Sequence, residues 1–442
     1  MSSAKTWSRA VLWVAGFSFS CGVLAAPLPQ PLSLQHALAL AADENHYDLQ
    51  LRAADMDAAR AGLRTAQGEN DLLVGFEARA RYIDAADLSP DQSHNDSAAV
   101  LVARKRLFDS GRRGALEHAA LATIESEEQR TVLAQQQRKL DVMRAFYDVL
   151  LADRVFTLAN ERMAIAYVDF DKIKDRRELG QLSQVDFLRA QTNYEEVLRE
   201  RNLTEGRQRS ARVKLAAALG DVTQLPAKLS EPALEGLDAR KSPDMDTLIK
   251  TALDTNPQLL ALRHQLQASN DRVAAARAKR MPVVDAVVEG GAYNRHVGSN
   301  DPFRAGLVFS APLVVGGTYD GELARAEAER RRAHAMIVRM EAELRQRLTE
   351  LVLDIDVLRK TVTGDKVRAD YRDLYMERSR ALYEMEVSTD LGDSMVQLTD
   401  AQMRATRTLY TLSMAWAELD VLLGRPVDPF AATTPTTQGK NP

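Results

Sequence analysis

Two pairs of short polar residues, each spaced three apart, are the side chains in this sequence most able to do chemistry. Ser183 is followed by Asp186, and Asp390 is followed by Asp393. This spacing is typical of a helix N-terminus, where the first side chain accepts a hydrogen bond from a backbone N–H three residues later. A second interpretation is compatible with the first, because carboxylates repeated around a narrow opening attract cations. Ser183 then corresponds to Asp390 and Asp186 to Asp393, although a correspondence shifted by one residue is nearly as good.

The chain has no pattern of catalytic or metal-binding residues. Its seven histidines never pair at metal-ligand spacing, and no HExxH, GxSxG or phosphate-binding loop occurs. The pair Gly290-Gly291 lies within a strand pattern, so we do not interpret it as a nucleotide-binding loop. We therefore predict that the protein is not an enzyme, has no cofactor and no metal site, and draws any energy it needs from a partner.

The composition excludes a further class of protein. The chain has 442 residues, of which 27% are charged and 45% hydrophobic, with a formal net charge of -4. This is enough apolar surface for a substantial core. The basic runs at 104–106 and 330–332 are balanced by nearby acids, so we expect no nucleic-acid partner.

Residues 1–26 have the pattern of a cleaved secretory signal. Lys5 and Arg9 precede an apolar run that ends in small residues at Ala26. The only cysteine, Cys21, lies inside this segment, so the mature chain would have no thiol. A lipid-modified Cys21 is the alternative, although the residues before it fit that pattern poorly. No run of 18 apolar residues follows, so we expect any membrane-spanning part to consist of strands.

The longest uninterrupted pattern is the tract from Arg112 to Leu179, which has no proline and only an early glycine, Gly114. Apolar residues recur three and four apart along it, with charged residues between them, as in an amphipathic helix. At 1.5 Å per residue such a helix is about 100 Å long and needs partner helices along its length. We therefore predict an elongated molecule.

The order of elements occurs twice. The first half, 27–220, reads as a helix from Leu34 to about Gly68, two strands around a polar loop at 84–97, the long helix, and a return helix from Ser183. After a linker at 221–246, the half at 247–425 repeats this order with an offset of about 205 to 211 residues, before a flexible tail at 426–442. The second polar loop lies at 294–302. Each chain thus supplies four strands, too few to close a barrel in lipid, so several chains must share one.

The doubled order resembles the TolC family of outer-membrane efflux and secretion ducts over nearly the whole mature chain. The residues that carry the resemblance are Asn256-Pro257, the strand-to-helix joints 107–111 and 313–317, the turn 180–186, and the closing pairs Leu219-Gly220 and Leu423-Gly424. Two positions depart from the family pattern. His46 stands where the family often has proline, and the second turn, 386–390, has no glycine.

The resemblance implies a fold class that combines α-helices with a membrane β-barrel. A long α-helical coiled-coil barrel would continue into a β-barrel of four strands per chain, shared in a homotrimer in the outer membrane. It also implies a periplasmic adaptor (membrane fusion) protein and an inner-membrane pump of the RND or ABC type as partners. The expected function is a passive exit duct of a tripartite efflux pump or a type I secretion system. The alternative is a periplasmic coiled-coil adaptor, which would need neither the doubled hairpin nor the amphipathic strands.

Two sets of candidate site residues follow from the return turns, where the resemblance places the constriction of the duct. The periplasmic gate is assigned to Asp390, Asp393 and Asp186. The adaptor-docking turns are assigned to Gly180, Gln181, Leu182, Ser183, Val387, Ser388 and Thr389. The polar loops would then face the outside. The substrate is not specified by the sequence, because a wide tunnel makes no close contacts with its cargo.

Overall fold

A computed structural model describes residues 29–43, 46–220, 224–234, 236–241, 243–295, 298, 300–313, 316–385, 387 and 391–429. The predicted signal with Cys21 lies outside these residues, as does the tail from residue 430. In chain order the described elements are α1 (Leu34–Leu40), α2 (Tyr47–Gly68), β1 (Leu73–Arg79), β2 (Ala98–Phe108), α3 (Arg112–Glu178), α4 (Gln184–Leu219), α5 (Met245–Thr255), α6 (Pro257–Ala278), β3 (Val283–Tyr293), β4 (Phe303–Ser310), α7 (Gly317–Glu384) and α8 (Leu391–Leu422).

Two helical hairpins dominate the molecule. Their first helices, α3 and α7, have 67 and 68 residues, so each is about 100 Å long. The long helix predicted from Arg112 is confirmed. It ends where Gly180 takes a left-handed conformation, with φ at +71°, which a glycine adopts without steric cost.

The single helix predicted from Leu34 to Gly68 is wrong, because α1 ends at Leu40 and a separate helix, α2, begins after His46. This residue has extended backbone, and its ring Nδ1 accepts a hydrogen bond from the N–H of Asp48, which caps α2. Asn256 makes the matching break before α6, where Pro257 cannot donate to a preceding turn. As helix caps, His46 of the first repeat corresponds to Asn256 of the second. The sequence comparison had aligned His46 with Pro257, one residue further on.

The four strands form one antiparallel sheet in the order β1-β2-β3-β4. The inner pair, β2 and β3, joins the two repeats, with Arg104 opposite Val287. The outer strands, β1 and β4, each have one edge without a partner strand among the described residues. The predicted number and location of the strands are confirmed, although β1 ends at Arg79 and Tyr82 forms only an isolated bridge with Asn95.

The core lies about halfway along the long helices, where α1, α5 and the linker wrap around them. Phe146 of α3 is fully buried there, and Val427 packs into the same cluster just after α8. Tyr147 joins the two hairpins, because its hydroxyl is 2.9 Å from the Ser413 hydroxyl and its ring stacks on Tyr410 at 4.4 Å. Burial raises the pKa of Tyr147 above its usual range and that of Tyr410 to about 12.

None of the helices in the described ranges is both long and apolar enough to cross a membrane.

Candidate functional site

The turn between α3 and α4 is held by the predicted capping box. The Ser183 hydroxyl accepts a hydrogen bond from the N–H of Asp186 at 3.1 Å and donates one to the Asp186 carboxylate at 2.6 Å. Arg189, one turn further along α4, lies 3.8 Å from the same carboxylate. The prediction that Ser183 caps the return helix is therefore confirmed, and the Asp186 charge is partly compensated.

Aromatic side chains brace the end of this first hairpin, which the sequence analysis missed. Phe170 of α3 stacks on Tyr194 of α4 with ring centres 5.4 Å apart, and it also contacts Phe187. The Arg177 guanidinium lies over the Phe187 ring at 4.1 Å, a cation–π contact. The sequence could have indicated this contact, because Phe170 and Tyr194 lie equally far from Leu182 along the chain. They therefore face each other once the hairpin forms.

The surface of the first turn is apolar around its capping groups. Leu179 and Val185 are 71% and 67% exposed, and Leu188 on the next turn of α4 is also exposed. Gly180 and Gln181 lie between them at the surface. Exposed leucine and valine side chains grouped at a helix end are typical of a surface that a partner covers.

The second hairpin is held near its end by a pair of hydroxyls, with exposed apolar side chains such as Met385 and Met395 around it. The hydroxyls of Ser379 on α7 and Ser394 on α8 are buried and 2.8 Å apart. Val387 is exposed, and its N–H donates to the carbonyl of Leu382 at 3.0 Å. Ser388, Thr389 and Asp390 lie outside the described residues, so the second capping pair is not seen. Asp393 is exposed in the first turn of α8, and the described structure gives it no ion-pair partner.

The two hairpins end at different levels along α3. Gly392, next to Asp393, lies against the side chain of Ile165. From Ile165 the helix α3 continues for 13 residues to Glu178, which is about 20 Å. Asp186 therefore lies well beyond Asp393, and the chain does not bring these two predicted gate carboxylates together. This offset depends on the lengths of the four helices and on how they align, so it could not be predicted from the local sequence of the turns.

The faces of the sheet differ in chemistry. One face carries apolar side chains on all four strands, and its one charged residue is Lys105 near the end of β2. Its larger members are Val74, Phe76, Leu101, Phe108, Val284, Val288, Phe303, Leu307 and Phe309. The opposite face carries four arginines and three carboxylates. The alternation predicted for the first and last strands is thus confirmed, and it extends to the inner strands.

Ion pairs cross the charged face. Arg106 donates to Asp285 at 2.9 Å, Arg304 lies 2.5 Å from Glu289, and Arg79 donates to Glu77 at 3.0 Å. Beyond the strands, Arg295 connects the two polar loops, donating to the Ser89 hydroxyl at 2.8 Å and to the carbonyl of Asp91. The described ranges contain no group of His, Cys, Asp or Glu side chains that could hold a metal ion.

Comparisons with known proteins agree with this architecture. The sequence model of a family described as outer membrane efflux protein matches residues 38–221 and 248–425. The chain is 28% identical to the protein CyaE of Bordetella pertussis over 60% of this chain and 56% of CyaE. It is 22% identical to the outer membrane protein TolC of Salmonella enteritidis over 86% of this chain and 82% of TolC. The crystal structure of the Campylobacter jejuni CmeC outer membrane channel has a similar fold, with a TM-score of 0.73, 14% identity, and coverage of 90% of this chain and 86% of that one.

Proposed function

Because this chain belongs to the outer membrane efflux protein family and is thus an exit duct of the outer membrane, we propose that three copies form one passage from the periplasm to the outside. The sheet is the observation that carries this proposal, since no other strand in the described part of the chain covers the outer edges of β1 and β4. An open edge in lipid leaves backbone N–H and C=O groups without hydrogen bonds. Pairing β4 with β1 of the next copy removes every edge, and three copies give the twelve strands that the resemblance implies.

The two faces of the sheet support the same arrangement. The apolar face, with Phe76, Leu101 and Leu307 exposed on it, would contact lipid. The charged face would line a water-filled lumen, because charged side chains directed at the bilayer are costly. The loops at 84–97 and 294–302 would then lie outside the cell, and the helical hairpins would extend into the periplasm.

Exposed apolar stripes on the helices are consistent with neighbouring copies. Leu353, Val357, Val367, Tyr371 and Leu374 recur along α7 and are all exposed in the single chain. Leu203 and Val213 are exposed on α4. Stripes at this spacing are usually buried against another helix, and in the proposed trimer that helix comes from the next copy.

We assign partner docking to the first hairpin and gating to the second. The apolar surface around 179–185 would bind a periplasmic adaptor, with the turn residues 180–183 at its centre. The second turn, with 387–389 beside it, would meet its two symmetry mates, so that Asp390 and Asp393 surround a narrow mouth. An inner-membrane pump of the RND or ABC type would supply the energy, in a tripartite efflux pump or a type I secretion system.

Cross-linking of the purified protein tests the proposed assembly. Gly75 on β1 and Gly306 on β4 both have room for a side chain, so the double cysteine variant should fold. We expect a short thiol-specific linker to join this variant into covalent trimers, whereas the Gly75→Cys variant alone should give none. A protein that stays monomeric in detergent and is recovered from the periplasmic fraction would contradict the proposal and favour the adaptor alternative.

Labelling of whole cells tests the orientation. A cysteine at Ser93, in the first polar loop, should react with a membrane-impermeant thiol reagent. A cysteine at Val185 should react only after the outer membrane is broken. The reverse order of reaction would show that the hairpins, and not the loops, face the outside.

A further inference from the structure

Arg104 differs from every other arginine on the charged face of the sheet. Arg79, Arg106 and Arg304 each lie within 3.0 Å of a carboxylate. Arg104 is exposed and has no carboxylate partner in the described part of the chain. In each of these three pairs the positive and negative charges cancel. The charged face therefore has one uncompensated positive charge, that of Arg104.

The neighbours of Arg104 explain why its charge stays uncompensated. The residues directly opposite it are apolar, Leu73 on β1 and Val287 on β3. The nearest acids on β3, Asp285 and Glu289, are already paired with Arg106 and Arg304. The β4 strand of a neighbouring copy, which would lie beside β1, offers no acid either, because it contributes Arg304, Gly306, Val308 and Ser310 to this face.

The position of Arg104 along the duct is also defined. It lies four residues before β2 ends at Phe108, close to the point where the chain enters α3. In the proposed trimer three copies of Arg104 would therefore surround the lumen where the helical passage opens into the strands. The predicted gate carboxylates would lie at the other end of the hairpins, about 100 Å away.

We propose that Arg104 is a specificity-determining residue of the duct, which forms a ring of three guanidinium groups that concentrates anionic cargo at the start of the strand-lined lumen. Rings of arginine or lysine favour anions in other pores. Guanidinium also binds carboxylate and phosphate groups through paired hydrogen bonds. The cargo class is thus solutes that carry carboxylate, phosphate or sulfate groups. This inference rests on the proposed trimeric duct.

Lys105 provides a matched control, because it is the next residue and points to the opposite face. It has the same charge, lies at the same level, and also has no carboxylate partner within the described ranges. In the proposed trimer it faces lipid. Removing its charge changes the net charge of the protein as much as removing that of Arg104, but leaves the lumen unaltered.

Single-channel recording in planar bilayers tests the inference, with inorganic tripolyphosphate as the anionic probe. We expect Arg104→Gln to reduce the chloride-to-potassium permeability ratio about twofold at low salt and the apparent affinity of the tripolyphosphate block about tenfold. Arg104→Lys, which keeps the charge, should retain most of both properties, and Lys105→Gln should retain both. An Arg104→Gln channel of normal conductance with unchanged selectivity and block would overturn the inference.

Cysteine chemistry gives a second measurement that does not require the glutamine variant to assemble. The chain has no cysteine beyond Cys21, so Arg104→Cys carries a unique thiol if the predicted signal is removed. A cationic thiol reagent applied to assembled channels should restore the tripolyphosphate block, and an anionic reagent should weaken it further. Lys105→Cys should not change the current with either reagent. If both reagents act alike at position 104, the inference fails; if the wild-type protein forms no channels at all, the proposed duct fails instead.

Discussion

The same joint is made differently in the two repeats. At the end of α4, Gly220 turns the chain with φ at +91°, and its missing side chain leaves room for the ring of His46. At the end of α8, Gly424 turns it with φ at +66° against the backbone carbonyl of Thr255. Each glycine lies beside the start of another helix. In the first repeat that helix, α2, is capped by the titratable imidazole of His46, and in the second repeat α6 is capped by the neutral amide of Asn256. The first joint therefore combines a displaceable contact with a pH-sensitive group, whereas the second is rigid and insensitive to pH.

The two helical hairpins also differ in the contacts that hold their ends together. The first ends in stacked aromatic rings around Phe170, and the second ends in the hydrogen bond between Ser379 and Ser394. Stacked rings bury far more apolar area than one hydroxyl pair. We therefore expect the end of the first hairpin to open less readily than that of the second, as the proposed docking and gating roles require.

The largest effect is expected from alanine at the rigid joint. A Cβ at Gly424 would lie 2.3 Å from the carbonyl oxygen of Thr255, the last residue of α5, so backbone and not a flexible side chain would have to move. Left-handed strain and overpacking together should destabilise Gly424→Ala by about 3 kcal/mol. Gly220→Ala should lose only about 1–2 kcal/mol, because its new Cβ meets a side chain at 3.0 Å.

Heat denaturation followed by circular dichroism compares these two variants. Gly206→Ala serves as the control, since this exposed position within α4 has open space around it and should tolerate alanine or be slightly stabilised by it. Equal losses of stability in Gly424→Ala and Gly220→Ala would show that the two joints are equivalent.

The aromatic end of the first hairpin should give the next largest effect. Phe170→Ala removes a half-buried ring from between α3 and α4 and should make local opening easier by about 2 kcal/mol, or about 30-fold in amide exchange near the turn. Ser379→Ala at the end of the second hairpin should change exchange there by about fivefold, as expected for one hydrogen bond. Hydrogen exchange read by mass spectrometry measures both. A larger effect of the serine variant would reverse the comparison.

The imidazole cap should make the first joint sensitive to acid. Burial, followed by the charge of Arg138, lowers the pKa of His46, while the backbone of Ala217 and the charges of Asp48 and Asp43 partly oppose this. The unfolded chain binds a proton near pH 6.5 that the folded chain resists. Stability is therefore complete above about pH 6.5 and is lost as the pH falls below it.

His46→Asn copies the cap of the second repeat and should remove this dependence. We expect the unfolding midpoint of the variant to change less than that of the wild type between pH 7.5 and pH 5.5. His36→Asn, at an exposed position in α1, controls for the loss of a histidine elsewhere. A wild-type-like acid dependence in His46→Asn would assign the effect to other groups.

The smallest effect concerns the carboxylates in the first turn of each return helix. Asp393→Asn should reduce cation selectivity and block by multivalent cations, because in the proposed trimer three copies of this residue face one opening. Asp186→Asn, at a different level, with Arg189 nearby, should change neither. Bilayer recording compares the two variants. Identical behaviour of both would show that Asp393 is not part of the gate.

The sequence predicted the long helices and strands well, because these depend on local periodicity and on the absence of proline and glycine. The break at His46 was missed for the same reason, since neither proline nor glycine marks it. The offset between Asp186 and Asp393 arises from contacts such as that of Gly392 with Ile165, which depend on how four helices align. Whether Arg104 or Arg106 has a carboxylate partner depends on strand register, which the sequence alone did not determine.

The pairing of β2 with β3 imposes an order on the folding of the chain. Arg106 and Asp285 are 179 residues apart in sequence, whereas the helices of each hairpin are adjacent in sequence. Closing so long a loop is slow and costs more entropy than local contacts do. Each hairpin can therefore form early, but β2 keeps an open edge until the second repeat has been synthesised and exported. During this interval the open edge of β2 is a place where the half-made chain can pair with strands of other chains and aggregate.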